Sequence, residues 1–91
     1  MSQTAKHIIF VGRVQGVGFR FTALDIANRY KLTGLVRNVP DGTVEMIAQG
    51  LSGDIDDCIR DIKEAFEGYI RETKTEEIPP DPQYTNFKIA F

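Results

Sequence analysis

The chain has 91 residues, 42% of them hydrophobic and 26% charged, with a formal net charge of -2. Such a composition excludes a long disordered or low-complexity protein, and the size suits a single domain, expected to span residues 1–91. The acidic balance argues against a protein that coats nucleic acid, and no apolar run is long enough for a signal peptide or a membrane span.

Residues 7–14, "HIIFVGRV", are rich in Ile, Val and Phe and predict a buried strand. The loop "QGVG" follows. Residues 19–32, "FRFTALDIANRYKL", place Ala23, Ile26, Ala27 and Tyr30 on one helical stripe, and Gly34 is expected to serve the helix end. "GLVRNV" predicts a second strand, and "PDG" at 40–42 a tight turn, since Pro fixes one dihedral and Gly supplies positive φ. In "TVEMIAQ", Val44, Met46 and Ala48 alternate with Glu45, Ile47 and Gln49, as in a strand half covered by a core.

Residues 52–68, "SGDIDDCIRDIKEAFEG", predict a second helix with the stripe Ile55, Cys58, Ile59, Ile62 and Phe66. Ser52 or Asp54 is expected to cap it and Gly68 to end it. "YIRETKTEEI" predicts a half-exposed strand, broken by "PPDP". "YTNFKIAF" predicts a closing strand with Phe87, Ile89 and Phe91 inward. The order is β-α-β-β-α-β plus a short extra strand. That is the ferredoxin-like split βαβ sandwich of the α+β class, expected as an antiparallel sheet with two helices on one face. The plan alone implies no function.

Cys58 is the one cysteine, so no internal disulfide is possible, and no Cys/His cluster suggests zinc. A reducing, cytoplasmic setting is the simplest expectation. The helical spacing of Asp54, Asp56, Asp57, Asp61 and Glu64 scatters them over a solvated face, so no metal is expected. His7 lies at a strand start, away from any motif. Arg13 and Arg37 read as solvated charges.

The stretch that carries chemistry is "GRVQGVGFR", residues 12–20. Amides at a helix start lack internal partners and carry the positive end of the helix dipole. Gly16 and Gly18 let successive N–H groups converge on one anion, and the fork of Arg20 can pair two phosphate oxygens. There is no Walker loop and no dinucleotide fingerprint. A lone turn of this kind would more often be structural, with Arg20 a solvated charge and Asn38 a cap on the hairpin near Pro40.

The two motifs together change that balance. Gly12, Val14, Gln15, Gly16, Val17, Phe19 and Arg20 match GxVQGVxFR, and Gly34, Val36 and Asn38 match GxVxN. On these the chain resembles the acylphosphatase family, over nearly its whole length. The likeness is weakest after residue 50, and the end "FKIAF" departs from the family's Phe, Ile, basic residue and Tyr. The resemblance implies hydrolysis of acyl phosphates to a carboxylate and inorganic phosphate. It implies that Arg20 and the amides of Gln15, Gly16, Val17, Gly18, Phe19 and Arg20 hold the phosphoryl group, and that Asn38 orients the attacking water. No metal or other cofactor is implied. The implied partners are a small acyl phosphate and inorganic phosphate, as product and inhibitor, with no nucleic acid or membrane, and a monomer is expected. The alternative is a noncatalytic phosphate- or carbamoyl-phosphate-binding module, like the acylphosphatase-like domains within hydrogenase-maturation carbamoyltransferases. A length of 91 residues favours the free-standing enzyme.

Overall fold

Ile8 and Phe10, then Val44, Met46 and Ala48, are buried at every second position. That is the period of strands with one face on a core. The computed structural model describes residues 3–91. Its elements are β1 (Thr4–Gly12), α1 (Phe19–Arg29), β2 (Thr33–Asn38), β3 (Val44–Gly50), α2 (Ser52–Ala65), β4 (Ile70–Ile78) and β5 (Phe87–Ile89). The strands form one sheet in the order β4-β1-β3-β2-β5. The stripes of both helices, including Ala23, Ile26, Ile55, Cys58 and Ile62, close a single core on one face of it. The ferredoxin-like plan read from the element order is therefore the observed one.

The sheet is mixed rather than wholly antiparallel. β1 pairs antiparallel with β3 and β4, and β2 with β3, but β5 runs parallel to β2. The reason is the crossing. β4 and β5 occupy opposite edges, so the chain leaving Ile78 must traverse the end of the sheet, and from that end β5 can only run alongside β2. Gln49 fixes the crossing. It is buried at the end of β3, its Nε2 donates to the Asp81 carbonyl at 3.0 Å, and its Oε1 accepts from the Asp81 amide at 2.7 Å. A buried amide with both ends satisfied holds the loop without a desolvation penalty.

Three expected local features are realised differently. α1 ends at Arg29, five residues before Gly34, and Lys31 takes the left-handed conformation (φ 57°). The amide of Leu32 bonds Ala27 O and that of Lys31 bonds Asn28 O, the paired bonds of a Schellman end, with Leu32 buried beneath them. Gly34 instead lies inside β2 (φ 134°), and a Cβ there would stand 1.9 Å from Ile47 O. Its role is close approach of two strands. α2 starts after Leu51 with no side-chain cap, so neither Ser52 nor Asp54 acts as one. β1 also starts and stops earlier than residues 7–14, which leaves Arg13 and Val14 in the loop.

Candidate active site

The ends of β1, β2 and β5 meet at one edge of the molecule, and the glycine loop spans them. Gly16 and Gly18 both have positive φ, 76° and 77°, and Gly18 is the N-cap of α1. Nothing lies within 4 Å of where a Cβ would sit on either. So the need for glycine there is conformational rather than steric. Gly18 provides no side-chain cap. The amides of the first helical turn therefore remain available to an anion.

Two anchors hold the loop. Phe19 inserts its ring into the core, 4.9 Å from Phe10 and 4.5 Å from Phe66 between centroids. That pins the first turn of α1 and so the base of Arg20. Removing such a ring typically costs about 3–5 kcal/mol. Gln15 is the second anchor. Its Nε2 donates to the carbonyls of Val39 (2.8 Å) and Thr43 (2.9 Å), which tie the loop to the β2–β3 turn beside Asn38. Neither side chain therefore faces a ligand, although both residues keep their amides in the loop. The sequence could show that Gln15 belongs to a motif, but not that its side chain is a brace.

Arg20 is half-buried and forms no ion pair among the described residues. Its guanidinium lies 5.2 Å from the centroid of Phe91. Phe91 is fully exposed, so it does not point inward as the alternation from Phe87 suggested. The reason is that β5 stops at Ile89; only the Ala90 amide carries on the pairing, to Val36 O at 2.9 Å. Beyond that the sheet has no core for Phe91 to enter. The contact brings the chain end over the arginine, a neighbour no sequence pattern announced.

Asn38 closes the arrangement. It is the last residue of β2, and its Oδ1 is buried without a hydrogen-bond partner in the chain. Leaving a buried acceptor unmet costs about 1–3 kcal/mol, so a fold that keeps one usually has use for it. Among the described residues the other two such atoms are hydroxyls, at Thr33 and Thr73, which can rotate toward a partner. The carbonyl oxygen of an asparagine is fixed as an acceptor in its amide plane.

Several other titratable groups are engaged away from the loop. His7 Nε2 lies 2.7 Å from Glu45 Oε2, and Arg37 Nε donates to Glu45 Oε1 at 2.5 Å. Arg37 is therefore paired across strands, not merely solvated. The hydrogen bond from His7 holds the Glu45 carboxyl below the ordinary value of 4.5, assisted by Arg37 and opposed by partial burial. Burial pushes the Cys58 thiol up to about 12, which leaves it a core residue and a poor nucleophile. On α2, Asp56 pairs with Lys6, and Asp57 and Asp61 with Arg60. Asp61 also accepts the Tyr30 hydroxyl, which links the two helices. Among the described residues no three His, Cys, Asp or Glu side chains gather as a metal site.

Comparison with known proteins follows the same outline. The family model for acylphosphatase matches residues 6–89. An acylphosphatase of Chlorobaculum tepidum is 43% identical over 98% of both chains. The crystal structure of acylphosphatase from Bacillus subtilis superposes with a TM-score of 0.89 at 31% identity, covering 97% of this chain and 99% of that one. The HypF of T. kodakarensis is similar over 97% of this chain but only 12% of its own, with a TM-score of 0.84 and 32% identity. Near end-to-end likeness to small acylphosphatases, with the glycine loop and Asn38 both inside the matched span, leads to one conclusion: this chain belongs to the acylphosphatase family.

Proposed function

We propose that the braced loop and Asn38 divide the work of acyl phosphate hydrolysis, the activity of the family. The loop amides from Gln15 to Arg20 and the Arg20 guanidinium hold the phosphoryl oxygens. Asn38 Oδ1 accepts a hydrogen bond from the attacking water and aims its oxygen at phosphorus. One bond forms, from water oxygen to phosphorus. One breaks, from phosphorus to the acyl oxygen, whose electron pair leaves with the carboxylate. A carboxylate is a good leaving group, so no strong general acid is required. No His, Asp or Glu lies in either motif, so the water proton passes to a phosphoryl oxygen. The products are a carboxylate and inorganic phosphate.

Magnitudes support this division. Phosphoryl transfer asks for positioning and charge stabilisation rather than covalent chemistry. A preorganised donor is commonly worth about 10²–10³ in rate, and an arginine on the transferring group about 10³–10⁵. The observation that carries the reading is the buried, unpartnered Oδ1 of Asn38 beside a loop whose helix-start amides are uncapped. The end-to-end likeness to a small acylphosphatase, against 12% coverage of HypF, weighs against a module that only binds.

The test is hydrolysis of benzoyl phosphate in excess EDTA by the wild type and by Arg20→Gln, with folding checked by circular dichroism. Turnover that ignores EDTA and falls by about 10³ or more in the folded variant, with weaker phosphate inhibition, is the expected result. A folded wild type that binds phosphate but does not hydrolyse would leave only the binding module.

A further inference from the structure

We propose that the hollow on the β4 side of the glycine loop is a subsite for a second anionic group on the acyl part of the substrate. The proposal rests on the acyl phosphate reading above and adds a preference among acyl phosphates.

The hollow has a volume of about 440 Å³ and is lined by Gly12, Arg13, Gly68, Tyr69, Ile70 and Arg71. Two of the six are arginines and none is acidic. Neither arginine forms an ion pair with an acid among the described residues. In a chain with net charge -2 this is a local concentration of uncompensated positive charge.

Three features of the backbone and side chains shape it. The Arg13 guanidinium stands 5.2 Å from the centroid of Tyr69, a position that restrains a long side chain. The Arg13 amide donates to Tyr69 O at 2.8 Å, which fastens the hollow to the start of the loop. The β1–β4 register shifts between Val11 and Gly12: Val11 faces Glu72 and Gly12 faces Ile70, so Arg71 is the extra residue of a bulge. Bulges re-aim side chains. Gly12 permits the approach, since a Cβ on it would meet Tyr69 O at 2.2 Å and Arg71 N at 2.8 Å.

The hollow and the cradle share one piece of chain. Arg13 is three residues from Gly16, so their Cα atoms are at most about 11 Å apart. A phosphoryl group in the cradle would leave its acyl substituent pointing outward, and a short acyl chain ending in an anion could reach the arginines. A dicarboxylic acyl phosphate has that shape; a simple aliphatic one does not.

The experiment compares kcat/KM for succinyl phosphate and for butyryl phosphate, which has a similar length but no terminal carboxylate. The wild type should favour succinyl phosphate by roughly three- to tenfold, the range expected for one or two exposed ion pairs. The preference should fall toward unity in Arg13→Gln and in Arg71→Gln, invert in Arg71→Glu, and fade as salt rises. Arg29→Gln makes the same change in net charge at the end of α1, and should leave the ratio where it was. Equal kcat/KM for both substrates in the wild type, or a ratio lowered as much by Arg29→Gln as by Arg71→Gln, would overturn the subsite while the hydrolase reading stands. Absence of turnover on both substrates would overturn both.

Discussion

Asn38 and Gln15 carry the same functional group and use it in opposite ways. Gln15 spends its NH₂ on two carbonyls of the β2–β3 turn, whereas Asn38 leaves its buried oxygen unengaged. The first therefore sets where the loop stands, and the second is free to act. Gln15→Ala removes both bonds and should cost about 1–2 kcal/mol of stability, with turnover reduced as the loop loosens. Gln15→Glu places a carboxylate against two carbonyl oxygens and should lower turnover further than the alanine does. A glutamate variant as active as the wild type would mean that the brace does not matter. At this scale the sequence was legible for the backbone, since Gly16 and Gly18 both take the positive φ expected of them; the phosphate-holding and water-aiming roles of Arg20 and Asn38 remain part of the proposal. The sequence was silent on Phe91, because nothing in "FKIAF" says where pairing with β2 stops.

Strands and helices obey their patterns except where a neighbouring element decides. Gly34 reads as a helix terminator by position, yet it sits where β2 crowds Ile47. Lys31 takes the turn instead, because the Schellman bonds and the burial of Leu32 offset its positive φ. Gly34→Ala should thus destabilise by about 3 kcal/mol or more, read as the urea midpoint. Gly53→Ala makes the same change in the first turn of α2, where nothing lies within 4 Å, and should stabilise by up to about 1 kcal/mol. Similar shifts for both would contradict the steric account. The cross-strand trio of His7, Glu45 and Arg37 gives a pH dependence. Glu45 has a lowered folded value, so its contribution is present above the ordinary 4.5 and is lost as the pH falls through that lowered value. Glu45→Gln should flatten the acid side of the stability curve; an unchanged acid limb would assign acid sensitivity to other groups.

For the whole molecule, the split βαβ plan brings the candidate site residues together at one end of the sheet. β1 delivers the loop, β2 delivers Asn38, and the chain leaving β5 sets the Phe91 ring 5.2 Å from the Arg20 guanidinium. The element order was readable because hydrophobic period switches cleanly between two and 3.6. The direction of β5 was not, because local sequence does not specify which edge a strand joins. That choice is held by Gln49, whose polarity on an otherwise alternating strand gave no hint of a clamp on Asp81. Among the described residues, no helix is long and apolar enough to cross a membrane.

The claim that matters most is the division between holding the phosphoryl group and aiming the water. It is tested most directly by measuring kcat for benzoyl phosphate and the inhibition constant of inorganic phosphate in Asn38→Ala beside the wild type. If Asn38 aims the water, kcat falls by about a hundredfold or more while the phosphate constant stays within about twofold. A phosphate constant that weakens in step with kcat would make Asn38 part of the cradle, and an undiminished kcat would remove it from the mechanism.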